Sequence, residues 1–510
     1  MQSQPAVHAG GEVRSVAEVH ARTARVASAL RTLGIAHGDR YAVVLRNQLE
    51  YLEVSLAGAA VGGIPVPVNW HWTGKDLRHL LHDSGSKVVF SGTELLPAVE
   101  ANMPAGTRIV EIATSAAARS AYQLDPQPPT GRYPTLEGLI GEHEPIGSPV
   151  TEPPMAVIYT SGTTGTPKGI VRQPMTPEQG QRLAESIAAF MVLEPGGRTL
   201  EPAPLYHTAP NVHATFAVKM NMDLHIMPKF DPVEFLRIVQ DEKIEHAIMV
   251  PAMFVRLLKL PDRVRKSYDV SSLRAVVHAS APCPPEVKRA MIDWLGPIVY
   301  EFYGASETGA VTFCDTQQWL AHPGTVGAPL LDAGIRVLDR DDQELSACQQ
   351  GTIHVKPFTG WPDFTYLGDD NRRQDIEVDG YVSIGDIGYL DESGFLHLTD
   401  RQSDLVISGG VNVYPAEIEN CLITMPGVAD VAVVGIPDDD FGEVLAAHVQ
   451  REPGATLTEQ DIRAHVATQL ARYKIPRVVV FDDRLPREDT GKLFKRRIRE
   501  TYWRAQATRR

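Results

Sequence analysis

Between Tyr159 and Gly169 the chain reads Tyr159-Thr160-Ser161-Gly162-Thr163-Thr164-Gly165-Thr166-Pro167-Lys168-Gly169, placing five Ser/Thr hydroxyls, three glycines and one lysine in eleven residues. Glycines let backbone N–H groups approach an anion closely, hydroxyls donate hydrogen bonds to it, and a lysine adds positive charge. The run follows a strand-like apolar stretch at 156–159, so a polyanion-binding loop at a strand end is expected rather than an ordinary surface turn. It is not a GxxxxGK[ST] loop, in which glycine, lysine and hydroxyl are contiguous.

Further along, Glu301-Phe302-Tyr303-Gly304-Ala305-Ser306-Glu307 combines a flat ring able to cover a nucleobase with a hard carboxylate suited to Mg²⁺. Asp386, after Gly385, could accept both hydrogens of a diol. Arg401, the small-residue segment His278-Ala279-Ser280-Ala281-Pro282, His207 within Pro204-Leu205-Tyr206-His207, and Lys492 after Thr490-Gly491 complete the set. Alone, each also has a plain reading: a strand end, a Gly-Asp turn, a surface ion pair, a packed histidine, an exposed lysine. Glu201 lies on an apolar strand and is expected to face solvent, as most carboxylates do; the other reading is a base toward an amine.

Together, from Tyr159 to Lys492 and in family order, these segments resemble the motif series of the adenylate-forming superfamily. That group contains acyl-CoA synthetases, firefly-type luciferases, nonribosomal adenylation domains and stand-alone amide synthetases, and this chain looks nearest to the acyl-CoA synthetases. The resemblance covers nearly the whole chain and implies ATP, Mg²⁺ and a small-molecule carboxylic acid as ligands. It assigns Thr160, Ser161, Gly162, Thr163, Thr164, Gly165 and Lys168 to the phosphates, and Thr160 with Glu307 to the metal. Ser280, Ala281, Pro282, Tyr303, Gly304, Ala305 and Ser306 would surround adenine and acyl group, Asp386 would hold the ribose hydroxyls, and Arg401 would be the cofactor-binding arginine of the stretch between the two domains. Lys492 would be the catalytic lysine and His207 would line the acyl pocket. Ser408, Gly409 and Gly410 would pass a pantetheine arm, making coenzyme A the leading acceptor and an amine its rival. The family's hinge falls at Ser403, where relatives commonly carry Asp or Lys. A nucleotide-binding pseudoenzyme is disfavoured, since Lys168, Glu307, Asp386, Arg401 and Lys492 are all present, and the eighteen residues after Lys492 leave no room for a fused carrier protein.

The elements that must hold these residues read as α/β. Apolar runs at 41–45, 64–68 and 87–90 alternate with helical spacing, as in parallel sheets covered on both faces. Short strands punctuated by Gly and Asp from 324 to 398 suggest a small antiparallel unit, and a mobile α+β domain is expected to follow. The expected division is 1–400 for the ATP- and carboxylate-binding domain and 401–510 for the domain with the lysine. Length (510 residues), 43% hydrophobic and 22% charged residues describe a globular chain of a few domains. A net charge of −14 disfavours nucleic acid as a partner. Four scattered cysteines read as reduced thiols, and with no membrane span or leader in the pattern a cytoplasmic protein is expected. Trp70, Trp72, His207, Met253, Phe254, His278 and Ala305 are candidates for the acyl pocket; small Ala279 and Ala305 leave room for an aromatic or alicyclic acid, with a fatty acid equally open.

Overall fold

The computed structural model describes residues 4–146, 150, 154–160, 167–369, 371–487 and 493–507. The expected phosphate-loop residues Ser161, Gly162, Thr163, Thr164 and Gly165, and the expected catalytic Lys492, lie outside the described residues.

The first helix, Val16–Thr32, starts on a capping residue: the Ser15 hydroxyl accepts from the Glu18 amide at 3.1 Å, satisfying an amide that the helix itself leaves open. Its Val19, Val26 and Leu30 are buried, each worth roughly 1.5–3 kcal/mol of transfer free energy. Strands Ile64–Pro67, Arg40–Val44, Val88–Gly92 and Arg108–Ile112 form a four-stranded sheet, parallel throughout.

A 14-stranded sheet makes up most of the rest. Its parallel half runs through Val299–Ala305, Ala275–His278, His246–Met249, Arg198–Glu201, Asp223–Ile226 and Ala6–Ala9. Beyond Val299–Ala305 every pairing turns antiparallel, out to Gly334–Leu338. The expected antiparallel unit is therefore fused to the parallel sheet through Gly309–Cys314 and Thr325–Pro329, not set apart from it.

The strand before the glycine-rich loop is not in a parallel sheet. Ile158–Thr160 pairs antiparallel with Lys168–Arg172, which pairs with Phe364–Tyr366, so the loop closes a hairpin. The hairpin register sets Thr160 opposite Lys168.

Strand Leu396–Arg401 crosses the expected boundary, and Arg401 still pairs with Asp386. After it come the hairpin Val406–Ser408/Val411–Val413 and the long pair Val428–Asp438/Gly442–Arg451, with Val478–Phe481 parallel at the edge. Helix Pro415–Ile423 covers one face, and Ile498 of helix Lys495–Ala507 packs on Val434 and Ile436 of the other. All four cysteines are free, and among the described residues no helix is long and apolar enough to cross a membrane.

Candidate active site

A cavity of about 1220 Å³ lies where the two large sheets, the loop hairpin and the C-terminal helix meet. It is larger than most small-ligand pockets, which span roughly 300–1,000 Å³. Thr160, Lys168, His207, Ser280 and Ala281 are on its wall, as are Gly304, Ala305, Ser306, Glu307, Asp386 and Arg401.

The parallel strands bring the centre of the wall together. Ser280 follows Ala275–His278 and has φ +74, the left-handed region that non-glycine residues adopt at a cost of about 1–3 kcal/mol and that clusters at functional sites. On the neighbouring strand, a Cβ at Gly304 would lie 1.8 Å from the Gly309 carbonyl oxygen, so only glycine permits that turn. Ser306 and Thr208 hydroxyls bond at 2.6 Å, tying this segment to the start of helix Thr208–Lys219, whose N-cap is His207. The His207 ring tilts against Tyr206, centroids 4.4 Å apart.

Glu307 is held by groups from a third strand. Tyr366 donates its hydroxyl to Oε1 at 3.2 Å, and the Trp361 indole N–H donates to the Glu307 carbonyl at 3.2 Å. Burial, and then the neighbouring Glu307 carboxylate, push the Tyr366 hydroxyl well up, so it stays a donor. Beneath them the Arg172 guanidinium donates to the Ser306 carbonyl and, at 3.3 Å, to that of Ala156. Burial pushes Arg172 down to about 10, with Glu307 opposing the shift, so it remains a cation near neutrality. Lys168 Nζ stands 3.4 Å from Asp369 Oδ2.

Asp386 accepts from the Tyr303 hydroxyl at 2.7 Å through Oδ2, while Arg401 Nε stands 3.3 Å from Oδ1. Tyr303 itself is buried in a core cluster with Ile170 and Val311, behind the wall. Pro282 is exposed and off the wall, as are Gly409 and Gly410 on their hairpin; Ser408 beside them is half-buried and also off the wall. Facing the strand ends, Lys495 closes the cavity from the C-terminal helix; Glu419 at 2.9 Å and Asp404 at 3.8 Å hold it protonated, outweighing its burial.

Of the expected acyl-pocket residues, Trp72, His207 and Ala305 are on the wall and four are not. Met253, Phe254 and His278 are core, and Trp70 stacks under the Arg46 guanidinium at 3.8 Å. The expectation for Glu201 fails. It is fully buried, bonded to His213 Nδ1 at 2.8 Å and to the Ala203 amide at 2.8 Å, and burial raises its pKa. Period-two reasoning does not see a histidine brought back against a strand by the next helix. Tyr366, Trp361, Arg172 and Lys495 were missed for a like reason: their roles come from pairings between distant segments.

The donor set toward a nucleotide is chemically consistent. A Thr160 hydroxyl and a Glu307 carboxylate supply only hard oxygen, as Mg²⁺ prefers, and the carboxylate is oriented by a neighbour that cannot itself compete as a ligand cation.

The model of the AMP-binding enzyme family matches residues 2–357, and that of the AMP-binding enzyme C-terminal domain matches 417–492. The chain belongs to the AMP-binding enzyme family. Long-chain-fatty-acid–CoA ligase FadD13 of Mycobacterium tuberculosis is 31% identical over 498 residues, covering 95% of this chain and 92% of the relative. Among solved structures, ATP-bound MatB from Rhodopseudomonas palustris superposes with TM-score 0.81 at 29% identity, over 98% of this chain and 96% of that one. The apo form of MatB superposes less well, at 0.70. Amide bond synthetase McbA from Marinactinospora thermotolerans matches at TM-score 0.81 and 23% identity over 98% and 97% of the two chains, a likeness of fold. This AMP-binding enzyme thus resembles a CoA ligase in sequence and shares its fold with an amide bond synthetase.

Proposed function

We propose that this AMP-binding enzyme joins a carboxylic acid to coenzyme A through an acyl adenylate. In the first step a carboxylate oxygen attacks the α-phosphorus of ATP, the bond to the pyrophosphate oxygen breaks, and acyl-AMP forms. In the second the sulfur of coenzyme A attacks the acyl carbon, AMP leaves, and the thiol proton goes to solvent. One observation carries the reading: a single cavity wall gathers Thr160, Lys168, Glu307, Asp386 and Arg401 around a strained small-residue turn at Ser280.

Positioning and charge are what the protein contributes to such a transfer. Lys168 and the loop after Thr160 would cradle the leaving pyrophosphate, and Lys492 would meet the charge growing on the acyl and phosphate oxygens. Glu307 and Thr160 would hold Mg²⁺, which when bound neutralises phosphate charge. Asp386 would accept from the ribose hydroxyls, with Tyr303 and Arg401 fixing its carboxylate.

Phe190, Met191, Val212, Val250 and Phe302 give the cavity wall an apolar component, which supports an acid with an apolar carbon skeleton. Two features favour coenzyme A over an amine. Glu201, the candidate amine base, is consumed by His213 and sealed from the cavity. The exposed Gly409–Gly410 turn is flanked by exposed Ile407, Val411 and Phe441, a thin apolar surface suited to a pantetheine arm once the C-terminal domain, which we place after Arg401, has rotated about Gln402–Ser403–Asp404.

Mass spectrometry of reactions containing Mg-ATP and a library of carboxylic acids, with coenzyme A alone or amines alone, tests this. Acyl-CoA with AMP is the expected product. Amides formed in the amine tube with no thioester in the other would assign the second step to an amine, and absence of acyl-AMP across a broad library would overturn the ligase reading.

A further inference from the structure

At the far edge of the large sheet, three side chains with metal-ligand chemistry share one face. Strands Ala6–Ala9 and Asp223–Ile226 are parallel neighbours, and their register sets His8 directly against His225. Asp223 is two residues before His225 on the same strand, so the pleat puts it on the same face. The imidazoles stack with centroids 4.1 Å apart and planes 6° from parallel. Both Nε2 atoms point toward the Asp223 carboxylate: His8 at 3.0 Å from Oδ1, His225 at 3.9 Å from Oδ2.

The second distance is too long for a hydrogen bond. His225 Nε2 is buried without a hydrogen-bond partner, and its side chain is only 7% exposed. A buried imidazole nitrogen aimed at a carboxylate without bonding it costs free energy, and such a group calls for an explanation. A cation between the three groups supplies one. Their ligand atoms lie within 4.8 Å of one another, and four-coordinate zinc with bonds of about 2.0–2.1 Å needs them roughly 3.3 Å apart, a closure that side-chain torsions can provide.

We propose that His8, Asp223 and His225 form a site for a borderline divalent transition metal, Zn²⁺ being the reference ion, with water at the fourth position. Two imidazoles and one carboxylate are a donor set for Zn²⁺ rather than for Mg²⁺ or Ca²⁺. His8 and Asp223, 27% and 20% exposed, give the ion a path from solvent. The other groups on the carboxylate are the Ala6 amide, 3.2 Å from Oδ1, and Arg198 Nε, 3.9 Å from Oδ2. Arg198 is 42% exposed and donates from Nη1 to the Glu242 carbonyl at 3.2 Å, so its hold on Asp223 is a long contact rather than a hydrogen bond. None of the three ligands is on the cavity wall, so the ion would act structurally, stapling strand Ala6–Ala9, and with it the edge strand Glu12–Ser15, to the sheet.

The test uses the full chain stripped with chelator, titrated with Zn²⁺ by calorimetry and with Co²⁺ by visible absorption, alongside H8Q and H225Q. Glutamine at position 8 keeps an N–H donor for Asp223, so that variant should melt close to the metal-free parent. Expected are one equivalent of Zn²⁺, a four-coordinate Co²⁺ spectrum, a rise in melting temperature on loading, and at least about 100-fold weaker binding in both variants. Excess Mg²⁺ should not compete. No saturable binding in the parent, unchanged binding in both variants, or loss in only one of them overturns the three-ligand site. The outcome does not depend on whether the cavity forms acyl-CoA.

Discussion

Replacing Asp386 by Asn tests the nucleotide side of the cavity most sharply. A carboxylate offers about four lone-pair sites. Two are occupied, by the Tyr303 hydroxyl at 2.7 Å and by Arg401 at 3.3 Å, leaving two for a ribose diol. Asparagine keeps the shape but turns one oxygen into a donor and removes the charge. One bond to the diol is lost and the others weaken; with charged hydrogen bonds worth about 1.5–3 kcal/mol each, the loss is about 2–4 kcal/mol. At 1.4 kcal/mol per tenfold, kcat/KM for ATP should fall about 30- to 1,000-fold, with a smaller change in KM for the acid. Tyr303→Phe removes only a bond that orients the carboxylate and should cost less than about tenfold. Pyrophosphate exchange into ATP at saturating acid measures both. A D386N enzyme within threefold of the parent, or a Tyr303→Phe effect larger than that of D386N, would refute the assignment of Asp386 to the ribose.

Ala305→Phe should narrow the cavity, shifting preference toward smaller acids in competition assays while leaving KM for ATP within about threefold, since Ala305 is on the wall with Phe302 rather than at Asp386. Lys288, fully buried, bonds Glu301 at 2.5 Å; Lys288→Met should lower stability by about 3–5 kcal/mol in denaturant titrations, and adding Glu301→Leu should restore most of it. Burial already raises the Glu301 pKa against the pull of Lys288, and without the lysine it rises further; the folded state then takes up a proton more readily than the unfolded one, so the K288M deficit should shrink as pH falls from about 8 to about 5. Gly409→Val places a branched side chain at φ +56 with its Cβ 3.0 Å from Phe441, and should slow thioester formation at least about tenfold in single-turnover assays while leaving acyl-AMP formation intact. Lys259→Ala removes bonds to the carbonyls of Val428 and Ala429, the latter at 3.1 Å, and a 3.3 Å ion pair to Glu452; releasing the C-terminal domain by about 1–2 kcal/mol should favour the second half-reaction over the first about five- to thirtyfold.

Local signals carried much of this structure in the sequence. A Thr458 cap bonded to Asp461 starts helix Glu459–Gln469, and the apolar run Val478–Phe481 is a strand with those bounds. Several of the motif residues also share one cavity: parallel strands bring Ser280 and Gly304–Glu307 to one side of the sheet, and the antiparallel pairs holding Thr160 with Lys168 and Asp386 with Arg401 line the same wall. What stayed hidden depends on partners far along the chain. Strand Ala6–Ala9 is four residues long and has its register set by Asp223–Ile226, more than 200 residues away. Tyr366 reaches Glu307 only because Phe364–Tyr366 pairs with the strand leaving the glycine-rich loop. Glu201 reads as a surface carboxylate until helix Thr208–Lys219 folds His213 back onto it. In each case the missing information is a tertiary pairing, not a propensity.

The proposed function asks one chain to serve two half-reactions, and the contacts between its two parts bear on how it could. Among the described residues each apolar cluster is confined to one side of Gln402: four lie before it and two after it. The polar links across the junction include Asp400 to the Ala416 amide at 2.9 Å, besides those of Lys259. Such bonds are worth about 0.5–1.5 kcal/mol each when water can replace them. A rotation that breaks a handful of them and opens no core lies within the differential binding energy of a nucleotide or a thiol ligand. In the structure the C-terminal helix rests against the cavity wall. Lys495 and its helix then close the cavity, while the Gly409–Gly410 turn waits outside it.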